Sequence, residues 1–358
     1  MIVEVKTVVG IGCEARIGRA EGGRMPYALC PMRYALLIFL LFISACGPTP
    51  RPPEPDNLFW PLPPEPPRIH YIQSIYSDDD IGKVYSFSEK LFGKDYIDRL
   101  QRPYGVFARG GKIAAADIGM QAVLLFDLAA KRLTLVGGDG TIRYPSAAVV
   151  DSAGNVYVAD GPGGKIALYT PKGKYKTAFL LKGGKPTGLA LNEQRGRLYV
   201  TDLLGHRVVV FGLDGKQLFE FGARGDANGQ FNMPLDVTVD AQGTVYVLDA
   251  RNFRVQLFDQ DGKFISKFGS AGDGPGFFAN PKGIAVDSEG HVYVTDAAFS
   301  NFQIFDRAGN MLLSVGNLGP RPGEMHLPAG ISIDEHDRIY VADQLNGRIE
   351  VFQYLKAE

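Results

Sequence analysis

The chain has 358 residues, and its 38 Lys and Arg against 39 Asp and Glu leave a formal net charge of −1. With no basic block along it, the sequence carries no electrostatic footprint for nucleic acid, so no nucleic-acid partner is expected. All three cysteines, Cys13, Cys30 and Cys46, lie in the first 46 residues, which leaves the rest of the chain without a disulfide or a cysteine-based metal site.

Those 46 residues read as a signal region. Residues 1–24 carry three Glu and little hydrophobicity, which suits no export signal, so translation is expected to begin at Met25 or Met32. Arg33 then precedes an unbroken apolar stretch over 35–43, too short for a comfortable membrane span and of the size of a signal-peptide core. It runs into Ile43-Ser44-Ala45-Cys46, which resembles the bacterial lipobox. That resemblance implies that Cys46 is diacylated, becomes the mature N-terminus and anchors the chain to a membrane. Gly47 follows instead of Asp, which favours the outer membrane in a source that has one.

Residues 47–68 read as a linker. Ten of the residues between Pro48 and Pro67 are proline, which favours an extended polyproline-like chain. At ~3.1 Å per residue, about twenty residues make a stalk of roughly 60 Å. Trp60, the sole tryptophan, stands there beside Phe59, and the pair is expected to pack on the wall of the domain that follows.

From residue 69 the chain is read as one domain. Ile69 to Tyr76 has the composition of a strand, and residues 86–100 read as one or two short helical turns. Then one pattern is written six times. Each copy opens on a proline: Pro103, Pro145, Pro186, Pro234, Pro281 and Pro328. Each carries a short apolar run, then a second run closed by an aspartate: Asp117, Asp160, Asp202, Asp249, Asp296 and Asp343. A third run ends on an aromatic residue: Phe126, Tyr169, Phe211, Phe258, Phe305 and Phe352. The runs are strand-length and rich in β-branched and aromatic residues, with Gly-containing turns such as Asp261-Gly262 between them. A period in the forties with several strands in each marks a blade array.

Along Thr244-Val-Tyr-Val-Leu-Asp249, Val245 and Val247 point one way and Tyr246 and Leu248 the other, and all four are apolar. Burial on both faces requires a neighbour on each side, which radial stacking supplies. The expected fold is therefore all-β: a six-bladed propeller of four-stranded antiparallel blades over 69–358. The last copy holds only three strands, so the 69–76 strand is expected to complete it as the outermost strand and close the ring.

The run Val245-Tyr-Val-Leu-Asp-Ala-Arg-Asn-Phe-Arg-Val-Gln-Leu-Phe-Asp259 resembles the NHL repeat, and the likeness extends from Pro103 to Phe352. With Cys46, the chain resembles bacterial NHL-repeat lipoproteins of the six-bladed, TolB-like propeller class. That resemblance implies the fold strongly and no single activity, since such propellers include scaffolds, sensors and enzymes.

The six closing aspartates recur at one place in every blade, so they read as structural, each capping a turn and pairing with the residue five further on. Those residues are Lys165, Arg207, Arg254, Asn301 and Arg348, with Ala122 the exception. The Gly-rich loops around 222–231 and 269–278 join strands instead of opening a helix, so they are not phosphate loops. Phe277 and Phe278 are expected to pack under neighbouring loops. The resemblance implies metal-holding His sets in related lyases and calcium sites in lactonase-like propellers. Here His70, His206, His291, His326 and His336 fall at unmatched places in their repeats, so no metal and no cofactor are expected.

What remains is the face shared by the inter-blade loops and the turns after the second strands. Its candidate binding residues are His206, Arg251, Phe253, Phe299, Asn301, Arg321, Glu324 and His326, a mixture of aromatics and cations of the kind interface centres use. The leading expectation is a monomeric, lipid-anchored, non-enzymatic scaffold that binds an envelope protein or an extended ligand. The alternative is a metal-dependent lyase or lactonase-type hydrolase, and the third an extracytoplasmic sensor of a small ligand.

Overall fold

The computed structural model describes residues 57–83 and 99–356. The expected helical turns over 86–100 therefore lie almost wholly outside the described residues. The described chain folds into six antiparallel sheets, five of four strands and one of five. Blades 1 to 5 each take four consecutive strands, and blade 6 is assembled from both ends of the described chain. The first strands of the blades are Pro103–Arg109, Pro145–Val150, Pro186–Asn192, Pro234–Val239, Pro281–Val286 and Pro328–Ile333. They touch one another in sequence, and that of blade 6 touches that of blade 1, so the ring is closed. Among the described residues the only helices are short 3-10 turns.

Two-sided burial drives the stacking. In blade 4, Tyr246 and Leu248 pack into the core shared with blade 5, while Val245 and Val247 pack into the core shared with blade 3. The aromatic series is buried throughout, from Phe126 and Phe352 at 0% exposed to Phe211 at 2%. Truncating any of them to Ala would cost about 3–5 kcal/mol, the usual range for an aromatic in a core that cannot collapse.

The closing aspartates join consecutive blades. Each is at most 1% exposed, and each accepts backbone N–H groups from the loop arriving from the preceding blade. Asp117 accepts from Gln101 and Arg102, Asp160 from Arg143 and Tyr144, Asp202 from Lys185. Asp249 accepts from Asn232, Asp296 from Ala279 and Asn280, Asp343 from His326. In four blades the cation five residues on completes the set, for instance Arg254 Nε at 2.8 Å from Asp249 and Arg348 Nε at 2.9 Å from Asp343. In blades 1 and 5 the carboxylate turns to the amides of its own turn, Gly119 and Met120 or Ala298 and Phe299.

Blade 6 is completed by Ile69–Ile75, which pairs antiparallel with Arg348–Tyr354 and buries Ile69, Tyr71 and Ile75. This strand was expected to be outermost. Instead a two-residue strand, Phe59–Trp60, pairs outside it with Ile69 and His70, so part of the expected stalk belongs to the sheet. The cause is aromatic packing: Trp60 meets Phe352 edge-on at 5.7 Å and Phe59 stacks on His70 at 4.3 Å.

Under this closure lies a buried charge cluster. Arg348, 1% exposed, pairs with Asp343 at 2.9 Å and Glu350 at 2.6 Å, and donates to the carbonyls of Pro320, Arg321 and Glu324. Ser74 of the closing strand donates to Glu350. In blades 4 and 5 the place of Glu350 is taken by Gln256 and Gln303, whose amides bond the overlying loops directly. Burial pushes the Glu350 carboxyl up to about 8 against the pull of Arg348.

Deletion of residues 1–76 removes the closing strand and uncovers this cluster. It should lower the stability of the whole ring by several kcal/mol, a fall in Tm of about 10 °C or more by calorimetry. An unchanged Tm would show that the ring does not depend on that strand.

A channel mouth with one carboxylate at its neck

The first strands enclose an axial channel, a cavity of about 180 Å³. Their third residues, Gly105, Ala147, Gly188, Asp236, Gly283 and Gly330, share one level, its neck, where Gly105, Ala147, Asp236 and Gly330 line the cavity. Successive blades touch there by backbone. A Cβ on Gly283 would lie 2.6 Å from the carbonyl oxygen of Ala329, and one on Gly188 2.6 Å from the Cα of Asp236. Small residues are therefore needed at this level, and Asp236 is the one charged side chain among the six positions.

The Asp236 side chain lies along the neck, one oxygen accepting from its neighbour Val237 at 2.9 Å and the other from Ile284 of blade 5 at 3.1 Å. It ties blade 4 to blade 5 across the channel wall. Burial pushes its carboxyl up to about 7, and the two amides offset only part of that. A polar rim lies above it. Tyr104 and Lys282 line the channel, and Tyr104 faces Tyr144 at 6.4 Å between ring centroids. Burial raises the Tyr104 hydroxyl further above its ordinary range, and the Lys282 ammonium is held below its own by burial and by Arg251.

The structure brings two of the sequence candidates together here. Arg251 and Phe253 line a small pocket of about 160 Å³ beside Lys282, with Leu203, Met233 and Leu235. Phe253 and His206 share a register position, the last residue of the turn after the second strand, with φ near +53° and +54°; blades 2 and 6 place Gly164 and Gly347 there. The left-handed backbone favours Gly at that position, so each of these side chains is held against a conformational cost.

The other candidates do not converge. His206 Nδ1 accepts from the amide of Met233, Glu324 accepts from the amide of Arg321, and Asn301 donates to Ser314 of its own outer strand. These three are engaged within the protein. Arg321 and His326 are exposed and Phe299 is half-buried, apart from the mouth pocket. The aromatic pair after the Gly-rich loop divides: Phe278 is buried under the loop, as expected, and Phe277 is 44% exposed, contrary to expectation. Adjacent residues in a turn cannot both point inward.

Asp236, Lys282, Tyr104 and Tyr144 escaped the sequence reading, although the Pro-x-Gly opening of four blades makes Asp236 a visible break. A second cavity of about 470 Å³ lies between residues 61–68 and the wall of blade 5, lined by Arg68, His291, Leu312 and Tyr354. Its His291 is held 2.8 Å from Asp287, at a place where Asn155 and Arg338 bond the matching aspartates of their own blades. Among the described residues no three His, Cys, Asp or Glu gather as metal ligands.

A six-bladed β-propeller with repeat-encoded blades is thus the class to which the fold and its channel point. Comparisons with known proteins agree at that level. A family model described as a 6-bladed beta-propeller matches residues 241–297, and the NHL repeat model matches residues 184–211. Among solved structures, a virginiamycin B lyase from Staphylococcus aureus is similar at 14% identity, covering 71% of this chain and 96% of that one, with a TM-score of 0.54. An auxiliary nutrient binding protein from Bacteroides ovatus is similar at 12% identity, covering 72% and 70%, with a TM-score of 0.55. A protein of unknown function from Bacteroides thetaiotaomicron is similar at 18% identity, covering 80% and 75%, with a TM-score of 0.58. At such identities the likeness is one of fold.

Asp236 gives a pH test. Its folded pKa, about 7, lies above the ordinary carboxylate value, so stability from this site is complete at acid pH and lost as pH rises through 7. In Asp236→Asn that loss should vanish. From pH 4 to 8 the variant should gain on the wild type by on the order of 1–3 kcal/mol in denaturant unfolding, water in the channel reducing the full linkage value. Parallel pH profiles would place the carboxylate in water.

Proposed function

We propose that the chain is an exported propeller, anchored by lipid on Cys46, that binds a ligand or partner on its loop face around the channel mouth. The supporting observation is a division of labour among polar residues. The repeated aspartates and their cations are spent on joining blades, whereas Arg251 and Lys282 at the mouth make no side-chain hydrogen bond or ion pair among the described residues. A cation left unpaired beside a half-buried aromatic such as Phe253 is the composition of an interface centre. The lipobox-like Cys46 and the proline-rich residues after it support the anchor. A metal-dependent enzyme on this fold would need a ligand set that the described residues do not assemble.

Two measurements check this reading. Cys46→Ala should move the protein from the membrane fraction to the soluble fraction, and a protein that stays membrane-bound argues against the anchor. Arg251→Ala combined with Lys282→Ala should abolish crosslinking of the chain to its partner in isolated membranes while Tm stays within about 2 °C, since surface changes seldom exceed ~0.5 kcal/mol each. Undiminished crosslinking would remove the loop face from the proposal.

A further inference from the structure

Five blades carry one Lys or Arg, and the sixth a His, on the loop face around the channel mouth. Arg102 precedes Pro103, Arg143 stands two before Pro145, and Lys185 precedes Pro186. Blade 4 supplies Arg251 from the turn after its second strand, blade 5 supplies Lys282 just after Pro281, and blade 6 supplies His326 two before Pro328. These positions share one face because each opening proline pairs with the aspartate that ends the second strand, as Pro103 does with Asp117 and Pro281 with Asp296. Arg102, Arg143, Arg251 and His326 are exposed, and Lys185 and Lys282 are half-buried.

None of the five Lys and Arg side chains has a hydrogen-bond or ion-pair partner among the described residues. On the opposite face several cations are paired: Arg109 with Glu193, Arg197 with Asp261, Arg307 with Asp240 and Arg338 with Asp334. Asp236 at the neck accepts from two amides, and the clamp aspartates are buried and turned to amides or to the cation five residues on. Asp226, Asp273 and Glu324 stand earlier in the long loops, toward the outer strands from which those loops depart, and Glu324 is bonded to the Arg321 amide. A chain that is nearly neutral overall thus concentrates positive charge around its axis. A concave mouth with low-dielectric walls strengthens such a field. Burial first and the neighbouring Arg251 second lower the basicity of Lys282, and an arriving anion would offset both.

The ring also carries the Tyr104 and Tyr144 pair, tilted by 56°, beside Arg102 and Arg143. Phenol rings offer flat apolar faces and a hydroxyl, which suit the C–H face and hydroxyls of a sugar, and the cations on either side suit acidic substituents. The geometry points to a receptor site for an acidic polysaccharide, held across the mouth by its carboxylates with a sugar ring against Tyr104 and Tyr144. This rests on the loop-face binding reading and adds to it the ligand class.

Binding of the detergent-solubilised full chain to alginate and to polygalacturonate tests it, with dextran and single-stranded DNA as comparisons. Both acidic polymers should bind, dextran and DNA should bind at least tenfold more weakly, and affinity should fall steadily as salt rises, as released counterions require. Arg143→Gln with Lys282→Gln, which removes charges from two blades, should weaken alginate binding tenfold or more. Arg195→Gln on the opposite face should leave it unchanged. No alginate or polygalacturonate binding at physiological salt, equal binding of DNA, or equal losses from the two faces would each overturn the inference. If the loop face still crosslinks a partner under those conditions, the ligand class fails and the binding face stands.

Discussion

A buried carboxylate that must be satisfied sets the geometry of this ring. Each clamp aspartate lies at the end of a second strand with little access to water, and leaving it unbonded would cost several kcal/mol. The groups that satisfy it are the amides of the loop arriving from the blade before. Folding of one blade is therefore complete only when the next junction is in place. Six such junctions fix the angle between neighbours, and that angle brings the first strands together closely enough that their third positions exclude a Cβ at several blades. The neck, the mouth and the spacing of the mouth side chains all follow from this one repeated bond.

Regularity also sharpens what is irregular. Glu350 replaces a glutamine that in blades 4 and 5 both donates to and accepts from the loop above it. Glu350 instead accepts from Ser74 of the closing strand and pairs with Arg348, which reaches three loop carbonyls as Arg254 does in blade 4. The exchange sits under the closing strand, where the ring is joined by pairing between distant parts of the chain. Asp236 is the matching exception at the axis. Glu350 and Asp236, both raised by burial, stand where the other blades carry uncharged residues, Gln, Leu, Ala or Val in the first case and Gly or Ala in the second, and they mark the junction and the channel as places where uniformity has been given up.

Much of this was legible in the residues. The prolines, the aspartates and the aromatic column gave strand order and number because each is tied to a fixed place in a blade. The closing strand was legible by subtraction, since the last copy lacks one. The pair Phe59–Trp60 was not, because two residues are too few to show a period and the prolines around them argue for extended chain. Asp236 was present as a break in the Pro-x-Gly opening, yet its meaning depends on backbones of neighbouring blades that no single copy contains. Arg102, Arg143, Lys185 and Lys282 escaped for a different reason. Net charge is a sum over the chain, and a sum cannot show which cations are paired and which are left without a partner.

The strand that shuts the ring carries a mechanical consequence. It is preceded by the strap Phe59–Trp60, which folds back on Ile69 and His70, and its own first residue pairs with Tyr354 near the other end of the chain. Tension on the chain before Asn57 therefore reaches the strap first, two residues of pairing and one tryptophan, before it reaches the seam. The strap works as a fuse in series with the ring: it can peel and reseal under small loads while the blades stay joined. A force large enough to pass it would enter the closing strand at Ile69 and unzip the propeller from the place where its two ends meet.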